Sequence, residues 1–235
     1  YATIALSRLR RDAPSARRRR VGRWQARWAR VWYVCCHTIG GVRISYVLDQ
    51  SLDDARDRGP FIVISNHFGA FDGLIMADIL RRVGHHDFRP VAKRQVNAIP
   101  IMGRAWRELG SAFVERDHRK DDADAVSSFA SIAREDAANV IIFPEGTVLS
   151  AATAVLGART LLSPKLGGFR RLVRALPERP ILSLTLYWRD FAPYKLSDEG
   201  LVPPGCEVLV ECRILEPPSA ADADRVLLDE WRRKA

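Results

Sequence analysis

The chain has 235 residues and a mass of 26.4 kDa, the size of one domain or of one domain with a short appendage. Apolar residues make up 47% and charged residues 28%, which excludes wholesale disorder, collagen and coiled coil. The net charge of +9 is concentrated: residues 1–30 hold ten arginines and one acid, Asp12, while bases and acids cancel over the rest.

Chain order begins with that basic arm. On charge alone, Arg8 to Arg30 fits a solvated face, a nucleic-acid arm or a membrane-surface helix. From Val21 the run VGRWQARWARVWYVCC places Trp24, Trp28 and Val31 at i, i+4 and i+7, with Trp32 and Cys35 on the same stripe and Arg23, Arg27 and Arg30 on its flanks. This predicts a basic amphipathic helix with tryptophans on its apolar side, the pattern of an interfacial anchor. The same helix would also suit packing its tryptophans onto the domain. The longest stretches without Asp, Glu, Lys or Arg are Gly59–Phe71 and Gly146–Ala158, 13 residues each, and Val31–Val42, 12 residues. A spanning helix needs about 20, so no transmembrane span is expected. Tyr1–Arg30 lacks the unbroken apolar core of a secretory signal. The chain opens at Tyr1 rather than Met, which leads us to expect a segment upstream.

After Gly40–Gly41 the pattern becomes one of alternating short strands and helices. Phe61–Ser65 (FIVIS) predicts a fully buried strand bounded by turn residues. Asp72–Arg82 predicts a helix with Leu74, Ile75, Ile79 and Leu80 on one side. Arg89–Ala92 is a short strand, Pro100–Leu109 a helix and Ala112–Glu115 a strand. Asp121–Ala138 is a helix opened by acids, which suits the positive end of its dipole. Val140–Phe143, Ile181–Trp188 and Glu207–Ile214 are further strands; Ala221–Lys234 is a final helix, and Ala151–Leu176 reads as loop then helix. The expected fold class is α/β, a layered domain with a largely parallel or mixed central sheet flanked by helices, preceded by the basic amphipathic N-terminal helix. We divide it into an arm, residues 1–42, and a body, residues 43–235. Cys35, Cys36, Cys206 and Cys212 show no zinc spacing and read as small buried apolar residues in a reducing compartment.

Three short stretches carry candidate chemistry. The buried strand FIVIS runs into Asn66-His67-Phe68-Gly69-Ala70-Phe71-Asp72, delivering a histidine where α/β sheets place their chemistry. Five residues is off-phase for one helical face, so His67 and Asp72 must meet across a turn containing Gly69. There Asp72 would accept a proton from one imidazole nitrogen and leave the other free as a base. Phe143-Pro144-Glu145-Gly146-Thr147 presents a carboxylate at another strand end. Lys93 and Arg116, each at a strand end, would together suit a phosphate.

In combination, the order NHxxxxD, then K-x6-P-x2-G-x6-G-x2-F-V-E-R, then FPEGT and a further strand resembles the glycerolipid acyltransferase family, the PlsC-like 1-acylglycerol-3-phosphate and lysophospholipid acyltransferases, over Phe61–Trp188. His67 and Asp72 match the family's catalytic pair. Lys93 and Arg116 match cations associated with the substrate phosphate, and Glu145, Gly146 and Thr147 match the third block, implied to position the glycerol or nearby polar groups. The sequence departs from the family at Val148, where Arg commonly follows EGT, and at Ile181–Leu184, which lacks the usual proline. Leu161–Phe169 looks more like the lysocardiolipin and related branch, in which Lys165 would supply a cation.

The resemblance implies acyl transfer from an acyl-CoA or acyl-ACP co-substrate to a free hydroxyl of a lysophospholipid such as 1-acylglycerol-3-phosphate. It calls for no metal or organic cofactor, and it places the enzyme peripherally at the cytoplasmic face of the cell membrane with no nucleic-acid partner. The same chemistry on lysocardiolipin, lysophosphatidylinositol or a glycolipid is the alternative, followed by a non-catalytic lipid-binding protein. Backbone N–H groups of the Phe68–Asp72 turn are the expected oxyanion donors.

Overall fold

The computed structural model describes residues 13–69, 71–115, 119–147, 161–189 and 205–235. Seven strands, β1 (Arg43–Leu48), β2 (Ile62–Ser65), β3 (Phe88–Lys93), β4 (Ala112–Val114), β5 (Asn139–Ile142), β6 (Ile181–Arg189) and β7 (Glu207–Leu215), form one sheet in the order β1-β7-β6-β2-β5-β3-β4. Every pairing is parallel except β6 with β7. The architecture is therefore the layered α/β fold read from the pattern. β2 and β5 are buried along their whole length because helices cover both faces of the sheet, which is why they read as unbroken apolar runs.

On one face, α1 (Pro14–Thr38) and α3 (Asp72–Arg82) contribute Ala29, Ile75, Met76, Ile79 and Leu80, packed against Val63, Ile141, Leu182 and Leu184. On the other, α5 (Arg119–Glu135), α6 (Leu166–Ala175) and α7 (Ala223–Lys234) bring Phe129, Phe169, Leu172, Leu227 and Trp231 against Ile62, Ile64, Val140 and Ile142. Successive residues of β2 thus serve opposite cores, as period-2 geometry requires. Two shorter helices, α2 (Ala55–Arg58) and α4 (Met102–Glu108), and two 3-10 segments, Gln50–Leu52 and Arg94–Ala98, complete the described elements.

α1 packs on the body over part of its length. Val21, Gly22, Gln25 and Ala29 are buried, and Gln25 Nε2 donates to the Phe88 carbonyl at 3.0 Å. Arg17 pairs with Glu108 at 3.1 Å. Arg18 pairs with Asp136, which also receives the fully buried Arg89 at 2.6 Å. Burial alone would raise the Asp136 carboxyl, but hydrogen bonds from both arginines outweigh it and hold it below the usual range. The tryptophan stripe divides: Trp24 packs beside Ala105, Trp106 and Leu109, whereas Trp28, Val31 and Trp32 are exposed.

Some elements differ from their sequence reading. β1 lies in Arg43–Leu48, a stretch not read as a strand; none of it is buried, and only Ile44 and Tyr46 turn partly inward. Of Ala151–Leu176, residues 161–176 are described and α6 occupies Leu166–Ala175; the rest of that expectation lies outside the described residues. Of the four cysteines only Cys212 is buried, and burial pushes its thiol up to about 12.

Candidate active site

The site forms at the carboxyl ends of β2, β5 and β3, three neighbours in the sheet. β2 ends at Ser65, and Asn66 then locks the exit of the strand: its side chain donates to the Leu186 carbonyl and accepts from the Leu186 N–H, both at 2.9 Å. The next residue, His67, is thereby held at the edge of the sheet. Asp72 opens α3, where a negative charge suits the helix terminus. Across the intervening turn, His67 Nδ1 lies 2.9 Å from Asp72 Oδ2. The pairing expected from the five-residue spacing is present in the fold.

That carboxylate oxygen also accepts the backbone N–H groups of Phe68 and Gly69, at 2.5 and 2.8 Å. Three donors converging on one fully buried oxygen fix the carboxylate and the imidazole together. Of the turn's N–H groups expected to face an oxyanion, those of Phe68 and Gly69 are engaged by Asp72, and that of Asp72 donates to the Gly69 carbonyl at 3.2 Å; Ala70 lies outside the described residues. The imidazole stacks on Phe143, with ring centroids 3.9 Å apart and planes 15° from parallel. Its side chain is 21% exposed, and among the described residues Nε2 has no hydrogen-bond partner. The geometry therefore leaves one imidazole nitrogen available beside an orienting acid.

Glu145 takes a different place from a ligand-facing carboxylate. It is 3% exposed; Oε2 accepts the His67 N–H at 3.1 Å and Oε1 accepts the Leu162 N–H at 3.1 Å. Burial pushes its carboxyl up to about 8 against the lowering effect of those two N–H groups. Gly146 supplies the turn, at φ 69°, with its N–H on the Phe143 carbonyl at 2.9 Å; a side chain there would be strained. Thr147 follows, and Lys93 Nζ at the end of β3 donates to its Oγ1 at 3.4 Å. Arg116 lies outside the described residues. Lys165 is exposed at the start of α6, and its backbone N–H donates to the Pro144 carbonyl at 2.8 Å.

A family model, that of the acyltransferases, matches residues 47–187, which contain all of these positions. The chain belongs to the acyltransferase family. It is 30% identical over 157 residues to a lyso-ornithine lipid O-acyltransferase of Rhizobium meliloti, covering 66% of this chain and 47% of that protein. It is 29% identical over 164 residues to 1-acyl-sn-glycerol-3-phosphate acyltransferase alpha of Mus musculus, covering 68% of this chain and 50% of that protein. The chain thus spans about half the length of these relatives.

Within this acyltransferase fold, further residues bear on the site without having been read from the sequence. Phe143 was taken as a strand residue and proves to be the platform under His67. Trp231 Nε1 donates to the Leu162 carbonyl at 2.8 Å, so α7 supports the segment whose N–H holds Glu145. Lys234, in the last turn of α7, is buried and donates to the Leu184 carbonyl at 2.6 Å; burial pushes its ammonium down to about 7. Asn66 stood next to the histidine in the motif, and its amide was the available signal. Trp231 and Lys234 are more than 150 residues away, with no local signal. Among the described residues, no cluster of His, Cys, Asp and Glu is arranged to hold a metal ion, and no helix is long and apolar enough to cross a membrane.

Proposed function

We propose that this chain transfers an acyl group from an acyl thioester, acyl-CoA or acyl-ACP, to a free hydroxyl of a lysolipid. The observation that carries the reading is the His67–Asp72 bond at the carboxyl end of the central strands, with Nε2 unpartnered among the described residues. In this reading Nε2 takes the acceptor's hydroxyl proton as its oxygen attacks the thioester carbonyl. The tetrahedral adduct then collapses, the C–S bond breaks, and the proton passes from the imidazolium to the departing thiolate. Asp72 holds the Nδ1–H tautomer and stabilises the charge, a contribution typically of about 10²–10⁴-fold for the base as a whole.

Lys93, with Thr147, forms the cationic rim that receives the acceptor's anionic headgroup; Arg116 is assigned the same task on the motif. Glu145 is a positioning residue, since its oxygens hold the backbone of His67 and Leu162. No metal or organic cofactor enters these steps. The acceptor and product are lipids, so the protein works at a membrane surface, and we assign it to the cytoplasmic face, where acyl thioesters are available.

A phosphate-free acceptor is the second reading. Val148 stands where the family commonly has an arginine, removing one phosphate contact, and one relative is named for a lyso-ornithine lipid. The test is a panel of 1-acylglycerol-3-phosphate, monolysocardiolipin, lysophosphatidylinositol, lysophosphatidylglycerol and lyso-ornithine lipid with acyl-CoA, following thiol and lipid product together. Acylated product lost in His67→Ala supports the reading and names the acceptor. Turnover retained in a folded His67→Ala protein would overturn it.

A further inference from the structure

Five consecutive apolar residues, Ala98-Ile99-Pro100-Ile101-Met102, are exposed where the 3-10 turn after β3 meets α4. Ile99 and Ile101 are each 44% exposed and Met102 36%. An exposed run of this length marks a contact surface on a folded domain. Its backbone is shaped to hold it outward. Ile101 sits at φ 66°, ψ −60°, and the Met102 N–H donates to the Pro100 carbonyl at 2.7 Å. This is a γ-turn in its positive-φ form, rare and strained, here with a β-branched residue at its centre. Such strain persists only where the surroundings over-determine it. Arg107 braces the base by donating to the Asn97 carbonyl at 2.9 Å and to the Asn97 side-chain oxygen.

The knuckle is joined to the carboxyl end of β3, which carries Lys93, by the single 3-10 segment Arg94–Ala98. From there α4 runs back to Glu108, where Arg17 of α1 meets it, while Trp24 packs beside Ala105 and Trp106. α1 therefore runs antiparallel to α4, and its next turns carry the exposed Trp28, Val31 and Trp32 toward the knuckle's end of the pair. Arg104 and Arg107 line the concave side of the same segment.

We propose that the Ile99–Met102 knuckle is a second membrane anchor, seated in an anionic bilayer surface alongside the tryptophan stripe of α1. The apolar tip enters the headgroup–acyl boundary while Arg104 and Arg107 lie at the level of the lipid phosphates. Two anchors fix orientation where one would leave the body free to rotate. They turn the carboxyl ends of β2, β3 and β5 toward the lipid, so that an acceptor reaches His67 by lateral movement. The inference rests on the lipid-acceptor reading above.

The test is flotation of the purified chain with vesicles of phosphatidylcholine, with and without phosphatidylglycerol. The Ile99→Ser/Ile101→Ser double variant is expected to lose about tenfold or more in partition to the anionic vesicles, with turnover of a monomeric short-chain lysolipid unchanged. Partition within about twofold of the parent protein overturns the proposal. Ile101→Gly supplies an opposed pair of signs: the relaxed γ-turn keeps or raises the melting temperature while vesicle binding falls. Amide hydrogen exchange needs no variant; vesicles are expected to slow exchange at Asn97–Gly103, and unchanged exchange there overturns the anchor. A knuckle variant that abolishes self-association without changing partition gives this surface to a second copy, and also overturns it. The acyl-transfer reading fails separately, by absence of turnover on every lysolipid while partition still depends on the knuckle.

Discussion

The carboxylate of Glu145, at the end of β5, accepts the backbone N–H of His67, at the end of β2, at 3.1 Å. This single bond joins two loops that are 78 residues apart in the chain, and it places the glutamate of FPEGT beneath the histidine rather than beside it. Its other oxygen holds Leu162, whose carbonyl is held by Trp231 of α7. The imidazole is therefore located by its ring partners, Asp72 and Phe143, and by a backbone support reaching to the last helix.

Glu145→Gln keeps one acceptor and turns an amide N–H₂ toward a backbone N–H. One buried donor is left unpaired, at about 1–3 kcal/mol. The variant is expected to remain folded with a lowered urea midpoint, and to lose turnover at saturating substrate with the KM for the acyl donor little changed. Denaturation and steady-state kinetics on the same preparation check both parts; a large KM effect with full turnover would return Glu145 to a substrate-contact role.

Two buried groups give stability a pH dependence of opposite sign. Glu145, raised to about 8 from 4.5, binds its proton more tightly folded than unfolded; its contribution is fully present below 4.5 and is lost as pH rises through about 8. Lys234, lowered to about 7 from 10.5, releases its proton more readily when folded. Its contribution is fully present above 10.5 and is lost as pH falls through about 7. Each slope is at most about 1.4 kcal/mol per pH unit. Urea midpoints measured across these windows should show the Glu145→Gln variant gaining on the parent protein as pH rises toward 8. Lys234→Met should lose ground to it as pH rises from 7 toward 10.5.

Asp72→Asn removes the charge that stabilises imidazolium and disturbs the three-donor arrangement on Oδ2. Turnover is expected to fall by about 10³–10⁴-fold, the scale found when the orienting acid of such a pair is replaced by its amide. The measurement is kcat for the purified variant, with circular dichroism to show that the fold is kept.

Asp136 joins Arg89 in the core to Arg18 on α1. Asp136→Ala removes the nearer carboxylate of the fully buried Arg89, leaving it Asp87 at 3.8 Å, and should cost up to about 3–5 kcal/mol. Arg18→Ala leaves Asp136 still paired with Arg89 and should cost less. Equal losses in urea denaturation would refute this division of labour.

Gly103 is the glycine of the P-x2-G spacing in the second motif block. A Cβ there would lie 2.3 Å from the Asn97 carbonyl oxygen and 2.7 Å from its carbon. Since backbone cannot swing aside as a long side chain does, Gly103→Ala is expected to destabilise by about 1–3 kcal/mol. A thermal melt of the variant tests it.

Legibility in the sequence followed the range of the cause. β2 and β5 were readable because burial on both faces leaves a continuous apolar run, and α3 because a helix against a sheet needs one apolar side. β1 was missed because it is an edge strand in which only Ile44 and Tyr46 turn partly inward, too short an alternation to stand out. The His67–Asp72 pair was readable because five residues and a glycine-bearing turn determine it locally. Glu145 was found as a position, but its backbone partners His67 and Leu162 were not, since a carboxylate's partners in a fold come from other strands. Phe143 looked like a core residue and Trp231 like an ordinary helix apolar residue.

From the sequence alone came the α/β alternation, the family's motif blocks, the paired histidine and acid, and the basic tryptophan-bearing helix. All of these are local patterns, set by residue spacing over one turn or one strand. Only the tertiary structure decided which loop lies under which. It brought Glu145 beneath His67, Lys93 to Thr147 and Trp231 to Leu162, it divided the tryptophans of α1 between core and surface, and it left the Ile99–Met102 knuckle exposed. Those outcomes depend on strand order and on which groups burial leaves unpaired, and no short stretch of the chain contains that information.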